Sequence, residues 1–169
     1  VGVGNIGKAV IRRGRAFGMH LLGNDIIEIA PDFIRENELE MTSLDDLLQR
    51  ADFVSLHCDL NPSSYHLLNK ETLPRMKPSA VLINTARGPV VEESALIEAL
   101  KSKRIAGAAL DVFEHEPLAA DHPLFSMDNV LLAPHNANSS PASWERVHQN
   151  TIRNLLMGLG FTPPEPIEF

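Results

Sequence analysis

Short apolar runs alternate with amphipathic stretches along the chain. HLLGND (20–25), ADFVSLHC (51–58), AVLINT (80–85), IAGAALDVF (105–113) and NVLLAP (129–134) have the length and aliphatic content of strands. Between them the pattern turns helical. A helix-like stretch follows the opening VGVGNIG and runs to about Phe17, and NKETLPRM (69–76) reads as a short helix. SLDDLLQR (43–50) starts at a serine suited to cap a helix and places acids in its first turn. EESALIEALKSK (92–103) has apolar residues at helical spacing, acids at its start and lysines at its end, and PASWERVHQNTIRNLLM (141–157) predicts a long terminal helix. The Pro-rich end, FTPPEPIEF, has no period of its own. This alternation predicts an α/β fold, a doubly wound parallel sheet with helices on both faces in three layers, α/β/α. The domain is expected over residues 1–158, with a tail at 159–169.

Composition narrows the function classes. The length of 169 residues suits one domain, and 44% hydrophobic with 22% charged residues describes a globular chain. A net charge of -7 disfavours nucleic acid as a partner. The single cysteine, Cys58, cannot form an internal disulfide, and no apolar run reaches the roughly 18 residues that span a bilayer. A cytoplasmic protein without a membrane partner is expected. The chain starts at Val1 rather than Met, which reads as a cut inside a longer protein.

Gly2-Val3-Gly4-Asn5-Ile6-Gly7 is a GxGxxG. In a Rossmann-type fold the first glycine permits a tight turn, the second admits a pyrophosphate against the backbone, and the third lets helix and strand pack closely. The helix N-terminus then offers free N–H groups to the phosphates. Asp25 ends the next apolar run, 21 residues after Gly4. A carboxylate there accepts from the adenosine ribose and repels a 2'-phosphate, which favours NAD over NADP. The plain alternative is a glycine turn with an unrelated surface Asp. The strand that should precede the motif is reduced to Val1, so a central gap in the sheet is expected.

Parallel strand ends gather at one edge, where ligands bind in such sheets. Arg87 follows AVLINT, Asp111 and Glu116 follow IAGAAL, and His135 follows NVLLA. An imidazole beside a carboxylate passes protons near neutral pH, and a guanidinium holds a substrate carboxylate by paired hydrogen bonds. With a nicotinamide at the same edge, the fitting chemistry is hydride transfer to or from a carbon bearing C=O or CH–OH.

At NTARGPVVEESALIEALKSKRIAGAALDVFEHEP and PLFSMDNVLLAPHNA the chain resembles the NAD-binding domain of the D-isomer-specific 2-hydroxyacid dehydrogenases, over residues 1 to about 158. The resemblance implies an NAD-dependent oxidoreductase acting on a small 2-hydroxy or 2-oxo acid. It implies that Arg87 binds the oxo acid, that Glu116 pairs with His135, and that His135 gives or takes the proton. Gly2, Gly4, Asn5, Ile6 and Gly7 would surround the pyrophosphate, and Asp25 would hold the ribose. Cys58 and Asp59 fall on the adenine side, and Ser64 stands where a Thr commonly approaches the phosphates. Thr85, Ala86 and Arg87 would flank the nicotinamide, whose carboxamide Asp111 would bind. Asp59 replaces a usual Pro, and HNANSS departs from commoner versions, so Asn138 alters contacts near the nicotinamide or substrate. Glu116, rather than Gln, points away from formate oxidation. The family also implies a homodimer and a second, substrate-closing domain drawn mostly from residues before the GxGxxG. The chain by itself is therefore expected to bind NAD weakly and turn over little. Two other readings are an NAD-responsive binding module of the corepressor kind and a catalytically silent nucleotide-binding fragment.

The remaining candidates read as structural. Cys58 with His57 lacks a thiolate-stabilising partner, so packing is the expected role. Glu114, His115, Glu116 and His122 match no metal-site spacing. His20, His66 and His148 are expected on the surface or a helix face, and Trp144 and Met157 in the core or an interface.

Overall fold

The structure, a computed structural model, describes residues 1–162. Of the tail expected at 159–169, residues 163–169 lie outside the described residues. The chain divides into two compact units, Val1–Pro134 and His135–Phe169.

The first unit is an all-parallel sheet with its crossovers. The strands are β1 (Leu21–Gly23), β2 (Leu39–Met41), β3 (Phe53–Leu56), β4 (Val81–Asn84), β5 (Gly107–Leu110) and β6 (Val130–Leu132). β1 pairs with β2, while β3, β4, β5 and β6 form a second ladder in that order. Val1 and Gly2 stand between the two ladders: Val1 N donates to Ser55 O at 2.8 Å, His57 N to Val1 O at 2.8 Å, and Gly2 N to Asn24 O at 2.8 Å. From this point the chain winds outward through β1 to β2, then returns to β3 on the other side. That reversal is the switch point of a doubly wound sheet. A cavity of about 550 Å³ is lined by residues of β1 and β3, among them Leu21, Leu22, Gly23, Phe53, Val54 and Ser55.

Helices α1 (Asn5–Ala16), α2 (Pro31–Glu36), α3 (Leu44–Arg50) and α4 (Glu93–Lys101) make the crossovers. Ser43 caps α3 by accepting from Asp46 N at 3.2 Å. Arg50 at the end of α3 forks onto Glu40 and Asp46 at 2.6 Å, tying β2 to that helix. The core divides into two apolar clusters. One gathers Leu48, Leu56, Leu68, Leu82, Leu96 and Leu100 around β3 to β6, and the other gathers Val3, Ile11, Ile29, Phe33 and Leu39 around β1 and β2.

Several elements differ from the sequence reading. Residues 26–42, with no expected element, hold α2 and β2. NKETLPRM is only a 3-10 turn at Leu73–Arg75: the Asn69 side-chain oxygen caps the N–H groups of Glu71 and Thr72, but Pro74 has no N–H to carry a helix on, and the chain is extended again at Met76. The second unit carries α5 (Pro141–Gly158), capped by Ser140. None of its residues is buried, so Trp144 and Met157, expected in a core or interface, are exposed here.

His57 supplies a pH test. Burial is the main cause that lowers its pKa from 6.5 to about 4. The folded His57 stays neutral down to about pH 4, whereas the unfolded chain takes up the proton near 6.5. Stability should therefore decline as pH falls through that window. Urea melts should show this decline, and His57→Gln should make it shallower.

Candidate active site

The glycine turn leads into α1 at the switch point. Gly2 sits at φ +84°, and a Cβ there would stand 2.6 Å from Cys58 N, so both conformation and space demand glycine. A Cβ on Gly7 would stand 2.0 Å from Gly2 O, which is the close helix-to-strand packing that the third glycine allows. Gly4 differs. It is the N-cap of α1, and a Cβ there would meet nothing within 4 Å. No side chain caps α1, and no acid lies in its first turn. The free N–H groups of Asn5, Ile6 and Gly7 thus open onto space suited to an anion.

Asp25 is fixed just beyond β1. Its Oδ2 accepts from Val3 N at 2.6 Å and its Oδ1 from Ile27 N at 3.1 Å, which ties the glycine turn to the strand end. A cavity of about 260 Å³ beside it is lined by Gly2, Gly4, Asp25, Cys58, Asp59 and Ser64, among others. Six residues selected from the sequence therefore share one cavity. The Ser64 hydroxyl is taken up by the local turn, donating to Asp59 O at 2.5 Å and accepting from Asn61 N at 2.9 Å. Burial pushes the Cys58 thiol up, the opposite of an activated nucleophile.

At the carboxyl ends of β4 and β5, Asn84 pairs with Leu110, and Asp111 N donates to Asn84 O at 3.0 Å. Asn84 is buried. Its side chain accepts from Ala86 N at 3.0 Å and donates to Arg87 O at 3.0 Å, shaping the loop that holds Thr85, Ala86 and Arg87. The Arg87 side chain is exposed and donates to Ala86 O at 2.6 Å. A Cβ on the next residue, Gly88, would lie 1.9 Å from the carbonyl of Phe113. The Arg87 loop and the loop after β5 are thus pressed backbone to backbone. In that second loop Asp111 is buried, and Glu116 is exposed with Oε1 accepting from Phe113 N at 2.9 Å.

β6 ends at the same edge, with Leu132 beside Leu110 and Ala133 N donating to Leu110 O at 2.9 Å. His135 opens the second unit at φ +54°, a left-handed conformation that few residues with a Cβ adopt. Asn138 belongs to the loop before α5, where Ser139 N donates to Asn136 O at 2.9 Å.

Comparison with known proteins matches residues 1–137 to the family model "D-isomer specific 2-hydroxyacid dehydrogenase, NAD binding domain". The chain belongs to this family. A glyoxylate reductase of Korarchaeum cryptofilum is 47% identical over 156 residues, covering 92% of this chain and 47% of the relative. Among solved structures, the NAD-complexed D-isomer specific 2-hydroxyacid dehydrogenase of Lactobacillus delbrueckii ssp. bulgaricus has a TM-score of 0.83 at 35% identity, covering 99% of this chain and 54% of that one. The D-lactate dehydrogenase of Lactobacillus jensenii with NAD+ has a TM-score of 0.85 at 32% identity, with coverage of 99% and 54%. The chain spans about half the length of the curated relatives it matches, 47% of one glyoxylate reductase and 49% of another. These relatives are named as enzymes, so the binding-module reading gains nothing from them.

NAD fits what this dehydrogenase domain presents: open space at Gly4, an uncapped helix start, and a carboxylate in the neighbouring cavity. The sequence reading overlooked Asn84 and Gly88, which fix the Arg87 loop. A buried Asn closing an apolar strand was the available signal for the first. His66 was expected on the surface or a helix face. It is instead partly buried against Glu114, with Nε2 2.6 Å from Oε1.

The glycines separate folding from binding. Gly7→Ala should cost about 2–3 kcal/mol in urea unfolding, as overpacking against backbone does. Gly4→Ala should change stability by less than about 0.5 kcal/mol. It should nevertheless weaken NADH binding severalfold in a fluorescence titration.

Proposed function

We propose that this chain is the nucleotide-binding part of an NAD-dependent oxidoreductase that interconverts small 2-oxo acids and D-2-hydroxy acids. Glyoxylate is a leading candidate substrate, since several curated relatives are named glyoxylate reductases. One observation carries the reading: the uncapped start of α1, with Asp25 beside it, lies on the same sheet whose β4 and β5 ends hold Arg87, Asp111 and Glu116. Residues 1–158 are taken as the nucleotide-binding domain, a reading supported by the family match over residues 1–137.

NADH, which the start of α1 and Asp25 would hold, would supply hydride chemistry at the carbonyl carbon. Arg87 holds the carboxylate of the oxo acid with two N–H donors and polarises its carbonyl. His135 donates the proton to the carbonyl oxygen as the hydroxyl forms, and Glu116 keeps the imidazole oriented. Asp111 would hold the nicotinamide carboxamide, and Thr85 and Ala86 would line the ring. In the oxidative direction His135 takes the hydroxyl proton. Asn138 stands near the nicotinamide or substrate in this reading. A second copy of the chain is the proposed partner, supported by exposed apolar residues on α5 such as Trp144, Val147 and Leu155. We place the enzyme in the cytoplasm, on the strength of its composition and single cysteine.

The test is NADH consumption with glyoxylate, pyruvate and hydroxypyruvate, in protein extended to the relatives' length. His135→Asn should lower kcat by about 10²- to 10⁴-fold while NADH affinity is kept. Arg87→Ala should raise KM for the oxo acid as well. If no 2-oxo acid drives NADH consumption, the reading is wrong. The 169-residue chain alone should bind NADH yet show little turnover, and robust turnover by it would also count against this division of labour.

A further inference from the structure

Behind the two loops of the first unit lies a cluster that the proposed chemistry does not use. Glu93, at the start of α4, and Glu114 exchange backbone donors: Glu93 N donates to Glu114 Oε2 at 3.1 Å, and Glu114 N donates to Glu93 Oε2 at 3.2 Å. Each carboxylate has an imidazole on its other oxygen. His66 Nε2 lies 2.6 Å from Glu114 Oε1, and His122 Nε2 lies 3.2 Å from Glu93 Oε1. The carboxylate side chains are only 19% and 14% exposed for Glu114 and Glu93.

The outer partners are themselves anchored. His66 stands at φ +49°, its N donates to Pro89 O at 2.8 Å, and Asn69 Nδ2 donates to its carbonyl at 2.9 Å. A residue with a Cβ holds that conformation only where its surroundings over-determine it. Beside it, Leu68 N donates to Val90 O at 3.1 Å and Glu92 N to Leu68 O at 2.8 Å, which fastens the segment to the turn after Arg87. Four pieces of chain thus meet at the two carboxylates: the His66 turn, the start of α4, the loop after β5, and His122.

We propose that Glu93 and Glu114, buttressed by His66 and His122, are positioning residues that set the spacing between the Arg87 loop and the loop of Asp111 and Glu116. This rests on the function proposed above. The clasp grips the second loop at Glu114, where Gly88 presses on the Phe113–Glu114 peptide from the other side. Loosening Glu114 frees that peptide to move away from Gly88. Asp111 and Glu116 then shift relative to Arg87, whereas Asp25 keeps its own bonds to Val3 N and Ile27 N. The clasp therefore governs the nicotinamide half of the cofactor and leaves the adenosine half alone.

NADH and ADP-ribose separate these halves, since both carry the adenosine diphosphate but only NADH carries the nicotinamide. Binding of each to the 169-residue chain would be measured by calorimetry for the unaltered protein, Glu114→Ala and Glu114→Gln. Glu114→Ala should weaken NADH about tenfold, the scale of one lost charge-assisted hydrogen bond, and change ADP-ribose less than twofold. Glu114→Gln, which keeps an acceptor for Glu93 N–H, should recover most of the loss. Amide exchange should rise at Phe113 and Glu114 in the alanine variant while β4 and β5 stay protected. Equal losses for both ligands, or no loss for either, would overturn the proposal. Should Glu114→Ala fail to fold, Glu93→Ala removes the acceptor of Glu114 N–H from the facing side of the clasp, and the same split between ligands is expected. If the unaltered chain binds neither ligand, the nucleotide-binding reading itself falls, and the clasp with it.

Discussion

The pairing of Val1 and Gly2 with both ladders sets the frame for everything else. The bonds from Val1 N to Ser55 O, from His57 N to Val1 O and from Gly2 N to Asn24 O hold β1 and β3 one strand apart. They fix where the glycine turn emerges. Because Gly2 must lie at φ +84° against Cys58 N, the turn has one course open to it, and α1 starts with its free N–H groups at the switch point. Asp25 adds a side-chain bond to Val3 N, so the base of the cofactor cavity is made of backbone held at both sides. Parallel sheets place such turns at one edge by construction, since every strand returns through a crossover.

The same economy governs the other end of the edge. Arg87 and Glu116 are both exposed, and neither owes its place to burial of its own side chain. Their positions come from groups beneath them. Asn84, buried at the end of β4, shapes the loop of Arg87 with two side-chain hydrogen bonds. Gly88 then seats that loop against the Phe113 carbonyl, where any larger residue would force the loops apart. A side chain on a loop is only as well placed as the backbone under it, and here that backbone is clamped by buried polar groups whose partners are satisfied. Among the described residues no buried side-chain nitrogen or oxygen lacks a partner.

The fold was legible where pattern and length were both sufficient. Five apolar runs became β1, β3, β4, β5 and β6, and the Ser43 cap and the acid-to-base gradient of 92–103 marked α3 and α4 correctly. The six-residue α2 and three-residue β2 were not legible. Each is too short to show a period, and each is held by tertiary contacts, Phe33 and Leu39 with Val3 and Ile11. NKETLPRM failed for a local reason, since Pro74 lacks the N–H that would carry a helix on and the chain is extended again at Met76. Of the site, residues chosen by motif converge on one cavity, because GxGxxG and a later acid encode a backbone path as well as a chemistry. The supporting Asn84, Gly88, Glu93 and His66 carry no such local code. Their roles depend on which loops the sheet brings together.

The division of the apolar residues into two clusters has a consequence for how this molecule opens. β1 and β2 rest on Val3, Ile11, Ile29, Phe33 and Leu39, a much smaller apolar mass than that beneath β3 to β6. Regions with less buried apolar contact exchange and unfold first, so the two sides are expected to be separate cooperative units. Asp25 belongs to the smaller side, and Arg87 with Asp111 to the larger. A dinucleotide lying across both would act as a strap, lending the weaker half the stability of its binding, and local melting of that half would free the ribose end while the other end remained seated.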